Sequence, residues 1–296
     1  MAYRLPVDTT IRERPLGKSG VNVSALGVGT NRWASGTDRA QLAATFGAAV
    51  DSGIGFFDTA EVYNAGRSEN AIGEAGREDG RPFLVASKFA PYPYRLTPRQ
   101  LTSALDKTLD RLGCESIDLY YLHFPYSPLG VGVWMKPMAK AVKDGKIRAV
   151  GISNCGGAQM RKAASALARY DIPLAANQVH YSVAHRKPET DGVLEACREM
   201  DVALVAYRPI GGGSIGSVSE KDPGKSELTG VLREVAESRG ATPKQVALAW
   251  LLKRDDHVVA IPGATKADHV RENAGALTLG LTDDEFDVVD KASRAR

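Results

Sequence analysis

Short, almost wholly apolar runs alternate with helical patterns along this chain, and this alternation constrains the fold more than any other feature. Residues 202–206, for example, read Val-Ala-Leu-Val-Ala. Strands without polar interruptions are typical of parallel sheets, because helices cover both faces of such sheets. We predict eight strands, over residues 23–29, 56–59, 83–87, 117–122, 149–152, 174–179, 202–206 and 258–261.

Eight strand–helix units predict an α/β fold, the closed (β/α)8 or TIM barrel, which commonly occupies about 250 residues. A doubly wound open sheet is the alternative, but the glycine pattern that usually follows its first strand is missing, since Gly27 and Gly29 are followed by Arg32. Residues 14–21 predict an N-terminal hairpin. No linker or change of composition divides the chain, so we expect one domain over residues 1–296.

Capping residues and periodicity place the helices, including extra ones near the C-terminus. Thr37, Thr97 and Thr282 are the expected N-caps of three of them. Residues 211–230 are rich in glycine and serine and predict a mobile loop over the barrel mouth. The predicted helices span residues 38–52, 68–76, 98–112, a segment ending near 143, 158–169, 192–200, 228–238, 243–253 and 283–292.

Composition excludes several function classes. A net charge of +3 is too small to indicate a nucleic-acid or membrane partner. The first twenty or so residues lack the apolar core of a signal peptide, and no window approaches the ~18 apolar residues of a membrane span. The three cysteines, Cys114, Cys155 and Cys197, have no metal-binding spacing and fit free thiols in a reducing compartment. We therefore expect a cytoplasmic protein without a metal; the sequence does not reveal its oligomeric state.

Polar side chains stand where the apolar strands end. In a parallel barrel these ends gather around one opening, where the chemistry is normally done. Buried polar groups cost free energy unless they have partners, so a ring of them indicates a polar cavity. The residues at the eight ends are Gly29-Thr30, Asp58, Lys88, His123, Ser153-Asn154, Gln178, Tyr207 and Pro262-Gly263.

Three of these strand-end residues, together with Tyr63 in the loop after Asp58, carry a resemblance to a known family. Asp58 with Tyr63, then Lys88, then His123 resembles the catalytic tetrad of the aldo-keto reductases. The resemblance covers essentially the whole chain, because the matching pieces keep the family's order and spacing. The other matching segments are residues 29–30, 151–154, 177–178, 261–263 and 272–273.

The resemblance implies a reductase of aldehydes or ketones, and the chemistry of the four side chains agrees with it. A free tyrosine has a pKa of about 10, and a neighbouring lysine cation favours its phenolate form. We expect Tyr63 to be the general acid, Lys88 to tune it, and Asp58 to hold Lys88 charged. His123 would orient the carbonyl oxygen of the substrate. As separate residues, each of the four also fits a structural role, such as a helix cap, a rim charge or core packing.

A nicotinamide cofactor is implied as well, because no side chain donates a hydride. By resemblance, Ser153, Asn154 and Gln178 contact the nicotinamide carboxamide, and Tyr207 stacks beneath the ring. The full set of expected cofactor contacts is Gly29, Thr30, Ser153, Asn154, Gln178, Tyr207, Arg208, Pro262, Gly263, Lys266, Glu272 and Asn273.

The second half of that set concerns the cofactor's phosphates and adenine. Arg208 replaces a serine of many relatives, so it contacts either the pyrophosphate or only the protein. Gly263-Ala264 and His269 stand where members that prefer the phosphorylated cofactor have a lysine-serine pair and an arginine. Lys266 could still pair with the 2′-phosphate, and we expect NADPH, with NADH as the alternative; Glu272 and Asn273 match adenine contacts.

The substrate is a small-molecule carbonyl compound whose identity the sequence does not give. A stretch at residues 177–182 resembles a bacterial and plant branch that includes pyridoxal reductases. The aromatic residues that could line the pocket, each with core packing as the alternative, are Trp33, Phe89, Tyr92, Phe124 and Trp134.

Two other functions stay open. Potassium-channel β-subunits resemble this fold and keep a cofactor while serving as partners, although nothing here suggests a membrane partner. A barrel lyase would use Lys88 as a Schiff-base nucleophile, but such a lysine must be neutral, whereas Asp58 would keep it charged.

Overall fold

Eight parallel strands form one sheet whose strand order follows the chain from the first barrel strand to the last. A computed structural model describes residues 13–126, 128–213, 215 and 223–294. The barrel strands are β3 (Val28–Gly29), β4 (Phe56–Asp58), β5 (Leu84–Phe89), β6 (Ile117–Leu122), β7 (Ile147–Ser153), β8 (Leu174–His180), β9 (Ala203–Tyr207) and β10 (Val258–Ile261), and they follow a hairpin of β1 (Glu13–Pro15) and β2 (Asn22–Ser24).

The sheet closes on itself between its first and last strands. Leu26 pairs with Ala260 and Gly29 with Gly263 in parallel bridges. The Gly29 amide also donates to the Pro262 carbonyl at 3.0 Å. The predicted closed barrel is confirmed, and the open doubly wound sheet is wrong for this chain.

The N-terminal hairpin closes one end of the barrel. Glu13 pairs with Ser24 in its antiparallel register. Leu16, Val21 and Val23 are buried and pack with the apolar side chains inside the barrel. The hairpin prediction is confirmed, but the single predicted strand over residues 23–29 is wrong, because the chain turns between the hairpin and β3. The Ser24 hydroxyl, which donates to the Leu26 carbonyl at 2.6 Å, holds this turn.

Helices cover the outside of the barrel, and a second apolar layer lies between them and the strands. The helices are α1 (Arg39–Asp51), α2 (Arg67–Asp79), α3 (Pro98–Leu112), α4 (Val131–Lys143), α5 (Gly157–Ala168), α6 (Lys187–Thr190), α7 (Val193–Met200), α8 (Pro223–Ser238), α9 (Pro243–Arg254), α10 (Ala267–Ala274) and α11 (Asp283–Arg294).

Capping predicted some helix ends correctly and missed others. Thr97 begins α3 with a capping box, as expected. Asp38, not Thr37, is the N-cap of α1. The expected loop over residues 211–230 is wrong in its last part, because α8 begins at Pro223. Residues 214 and 216–222 of that loop lie outside the described residues. Among the helices of the described ranges, none is long and apolar enough to span a membrane.

Candidate active site

Lys88, on β5, joins two of the other predicted catalytic residues. Its side chain is fully buried, and its Nζ lies 2.5 Å from Oδ1 of Asp58, the last residue of the neighbouring strand β4. The same Nζ donates to the Thr59 carbonyl at 2.6 Å and to the Tyr63 hydroxyl at 3.3 Å. One amine therefore connects the buried carboxylate to the phenol.

The ion pair determines the charge of the lysine. Burial disfavours a charged amine, but the Asp58 carboxylate and the Tyr63 hydroxyl outweigh it and raise the pKa of Lys88 above its ordinary value. Burial likewise raises the pKa of Asp58, while the contacts with Lys88 and Gln178 counteract this rise. Lys88 is thus held as a cation beside the Tyr63 hydroxyl.

Tyr63 lies in the loop between β4 and α2, on a turn with unusual backbone geometry. Asn64 and Ala65 have φ values of 50° and 56°, and Gly66 follows at 85°. Positive φ is rare for residues with a side chain and often marks a functional loop. The Asn64 side-chain amide fixes the turn by donating to the Trp33 carbonyl at 2.8 Å. The three left-handed residues reverse the chain and leave the Tyr63 ring partly exposed.

His123 follows β6 and completes the predicted group of four. Its ring meets the Tyr63 ring edge-on, with centroids 5.9 Å apart, and stacks on Phe124 at 4.1 Å. Burial and the nearby Lys88 cation lower the pKa of His123 to about 3. The imidazole is therefore neutral near pH 7. The structure brings all four predicted catalytic residues together.

Gln178 has a contact that the sequence did not predict. Its amide nitrogen donates to Oδ2 of Asp58 at 2.7 Å. The expected role of this glutamine was a contact with the cofactor alone. The only signal for the additional role was its position near the end of β8, from which a side chain can cross the barrel.

The other residues expected near the nicotinamide form one network. The Ser153 hydroxyl donates to the Gln178 carbonyl at 2.9 Å, and the Asn154 amide to the His123 carbonyl at 3.2 Å. Tyr207 donates its hydroxyl to Oδ1 of Asn154 at 3.1 Å, which holds a partly exposed ring at the barrel mouth. Arg208 follows with an exposed side chain and a φ of 51°.

Thr30, which directly follows the first barrel strand, is covered by the surrounding protein. It is fully buried, and its hydroxyl donates to the Asp58 carbonyl at 2.9 Å. Pro262 and Gly263 close the barrel against Gly29, as described above.

Three of the residues expected at the phosphates and adenine lie at or on α10. Lys266 is exposed at the N-cap position of this helix. Glu272 forms a 3.1 Å ion pair with Lys244 of α9, and Asn273 is buried. This part of the expected set lies on one short helix that follows the last barrel strand.

Burial separates the five aromatic candidates for the pocket into two groups. Trp33, Phe89 and Trp134 have no exposed surface, and the indole N–H of Trp33 donates to the Ala264 carbonyl at 2.7 Å. These three side chains are packed in the core, which favours core packing over a role in lining the pocket. Tyr92 is 37% exposed and Phe124 is partly exposed, so only these two reach the surface near the site.

The chain belongs to the aldo/keto reductase family, whose family model matches residues 25–294. A chloroplastic pyridoxal reductase of Arabidopsis thaliana is 33% identical over 300 residues, which cover 90% of this chain and 82% of that protein.

Solved structures of the family have the same fold. A thermostable aldo-keto reductase in complex with the inhibitor epalrestat is 34% identical, with a TM-score of 0.81 over 95% of this chain and 100% of its own. An aldo/keto reductase from Klebsiella pneumoniae in complex with NADP and acetate is 30% identical, with a TM-score of 0.78 over 95% of each chain. The resemblance inferred from the tetrad residues is thus confirmed at the level of the family.

Proposed function

We propose that this protein reduces an aldehyde or ketone to the alcohol with NADPH, with Tyr63 as the general acid. The observation that carries the proposal is that one buried cation, Lys88, contacts both Asp58 and the Tyr63 hydroxyl. Reduction of a carbonyl needs a proton at the developing alkoxide. A tyrosine beside a lysine cation is suited to give that proton, because the cation stabilises the phenolate that remains.

His123 completes the proton-donating side of the site. Its Nδ1 is buried without a hydrogen-bond partner among the described residues. We assign the proton of the neutral ring to Nε2, because a buried N–H at Nδ1 would lack an acceptor. The Nε2–H then donates to the carbonyl oxygen of the substrate and orients it against Tyr63.

The residues around the barrel mouth fit a nicotinamide cofactor. Tyr207 offers a flat, partly exposed ring that Asn154 holds in place, and Ser153 lies beside them. The exposed Lys266 stands at the N-terminus of α10, where backbone N–H groups favour an anion such as a phosphate. These residues would hold the cofactor, which supplies the hydride when bound.

NADPH is favoured over NADH because Lys266 offers a cation for a 2′-phosphate. The relative from Klebsiella pneumoniae, which was solved with NADP, supports the same choice. A Schiff-base lyase is disfavoured, since a lysine whose pKa is raised by a carboxylate is a poor amine nucleophile.

The test is an assay of NADPH oxidation with a panel of aromatic aldehydes, dicarbonyls and pyridoxal. Pyridoxal is included because a relative is named a pyridoxal reductase. We expect at least one carbonyl to be reduced, and Tyr63→Phe to lose nearly all turnover while its Kd for NADPH stays unchanged. Retained turnover in Tyr63→Phe would contradict the role of Tyr63, and an inactive wild type would contradict the reductase itself.

A further inference from the structure

Glu61 lies between Asp58 and Tyr63 in the chain, and its carboxylate turns away from solvent. Only 9% of its side chain is exposed. Its Oε1 accepts a 2.7 Å hydrogen bond from the backbone N–H of Ala90, just beyond the end of β5. Its own backbone N–H donates to the Lys88 carbonyl at 3.4 Å. The loop that carries Tyr63 is therefore attached to the strand that carries Lys88 at two points.

Arg95 completes this attachment from the other side. Its guanidinium pairs with both oxygens of Glu61, one through NH1 and the other through NH2 at 3.2 Å. NH1 also donates to the Ala90 carbonyl at 3.0 Å. The guanidinium lies 4.8 Å from the centre of the Phe89 ring and 5.5 Å from that of Tyr92. The arginine thus connects the loop after β5 to the loop after β4.

We infer that Glu61, held by Arg95, is a positioning residue that keeps the Tyr63 hydroxyl against the Lys88 amine. The inference rests on the proposed function, since it concerns the same proton donor. The Lys88–Tyr63 contact is 3.3 Å and joins two different elements, a strand and a loop. Its length therefore depends on what holds that loop to that strand. Besides Lys88 itself, which binds the Thr59 carbonyl, the Glu61 carboxylate is a side chain that does so.

Two variants of Glu61 separate its contributions. Glu61→Gln keeps an oxygen for the Ala90 N–H but removes the charge that pairs with Arg95. Glu61→Ala removes both. We expect kcat to fall by on the order of tenfold to a hundredfold in Glu61→Ala, the effect of a shift of about 1 Å at a catalytic group, and by less in Glu61→Gln. Their Kd for NADPH stays that of the wild type, because Glu61 is not among the residues expected to contact the cofactor.

The split between kcat and the KM for the carbonyl substrate distinguishes positioning from a general loss of stability. If Tyr63 moves away from the Lys88 amine, the proton donor is misplaced while the substrate still binds. We therefore expect kcat of Glu61→Ala to fall at temperatures well below its melting temperature, while its KM stays that of the wild type. Glu189→Ala is the matched control, because Glu189 also pairs with an arginine, Arg186, and both side chains are 11% exposed. We expect this control to change the melting temperature without lowering kcat.

The inference is overturned if the kcat of Glu61→Ala is unchanged, or if kcat falls equally in Glu189→Ala. Crystal structures of the wild type and of Glu61→Ala provide a readout that needs no turnover. We expect the distance between Nζ of Lys88 and the Tyr63 hydroxyl to be longer in Glu61→Ala than in the wild type. If the wild type reduces no carbonyl, the proposed function fails, and an unchanged distance would then reject the positioning role separately.

Discussion

Gln178 and Lys88 bind the two different oxygens of the Asp58 carboxylate. Lys88 contacts Oδ1 at 2.5 Å, and the Gln178 amide donates to Oδ2 at 2.7 Å. Asp58 and Gln178 are each 2% exposed. A carboxylate so deeply buried is tolerated only when charge and hydrogen bonds compensate its lost hydration. The glutamine therefore contributes to keeping Asp58 ionised next to the lysine.

Replacing Gln178 tests that contribution. Gln178→Met removes the donor at similar volume and leaves Oδ2 of Asp58 unsatisfied, which we expect to cost about 1–3 kcal/mol of unfolding free energy. Gln178→Glu would cost more, because it places a second carboxylate beside the first. Urea unfolding measures both. Equal stability of the glutamate variant and the wild type would show that the contact is unimportant.

The Lys88–Asp58 pair should be strongly non-additive in stability. Lys88→Met leaves a buried carboxylate without its cation, a change that costs about 3–5 kcal/mol. Combining it with Asp58→Asn removes the unpaired charge, so the double variant should be more stable than Lys88→Met alone. A double-mutant cycle from urea unfolding checks this. Simple addition of the two single losses would contradict it.

We expect the protein to lose stability in acid because of His123. Its folded pKa of about 3 is lower than the ordinary value of 6.5, so the unfolded chain binds a proton more readily than the folded one. The neutral His123 therefore contributes fully to the free energy of unfolding above about pH 6.5. As the pH falls from there toward 3, the protein loses this contribution, on the order of several kcal/mol. His123→Gln should flatten the fall of the melting temperature in that window. The exposed His269→Gln is the control, and an equal slope in both variants would contradict the prediction.

The strand ends could be predicted because they depend only on the local alternation of apolar and polar residues. That pattern placed Asp58, Lys88 and His123 on one rim, where the structure has them. It could not predict the Gln178–Asp58 contact, which joins residues 120 positions apart and depends on where two side chains meet inside the barrel.

The sequence also could not predict which aromatic side chains are buried. Trp33 and Phe89 follow or end strands near the site, as pocket residues would. Tertiary packing decides their environment, and both are fully buried. The start of α8 at Pro223 was missed for a local reason: glycine and serine weaken the helical signal, yet the helix includes Gly224, Ser226 and Gly230.

Lys266 should determine the choice of cofactor. Its amine is exposed at the N-cap of α10 and is the cation we expect at the 2′-phosphate. Lys266→Ala should raise the KM for NADPH roughly tenfold, the effect of losing about 1.4 kcal/mol, and leave the KM for NADH unchanged. The exposed Lys291→Ala serves as the control. If the KM values for NADPH and NADH rose in parallel, Lys266 would not act through the 2′-phosphate.

Gly151 on β7 makes room for the ring of Tyr121 on the neighbouring strand β6. A Cβ at Gly151 would lie 2.4 Å from Cδ1 of the tyrosine, whose side chain is fully buried and cannot move aside. Gly151→Ala should therefore cost about 1–3 kcal/mol by overpacking, as measured by urea unfolding.

The rescue and the control for Gly151→Ala follow from the same contacts. Adding Tyr121→Leu to Gly151→Ala should recover part of the loss, because the smaller side chain vacates the space that the new methyl group needs. Gly230→Ala in α8 has no atom within 4 Å of the added Cβ and should instead stabilise the protein by about 0.5–1 kcal/mol. If both alanine variants were equally stable, the close approach of Tyr121 would not be what requires glycine at position 151.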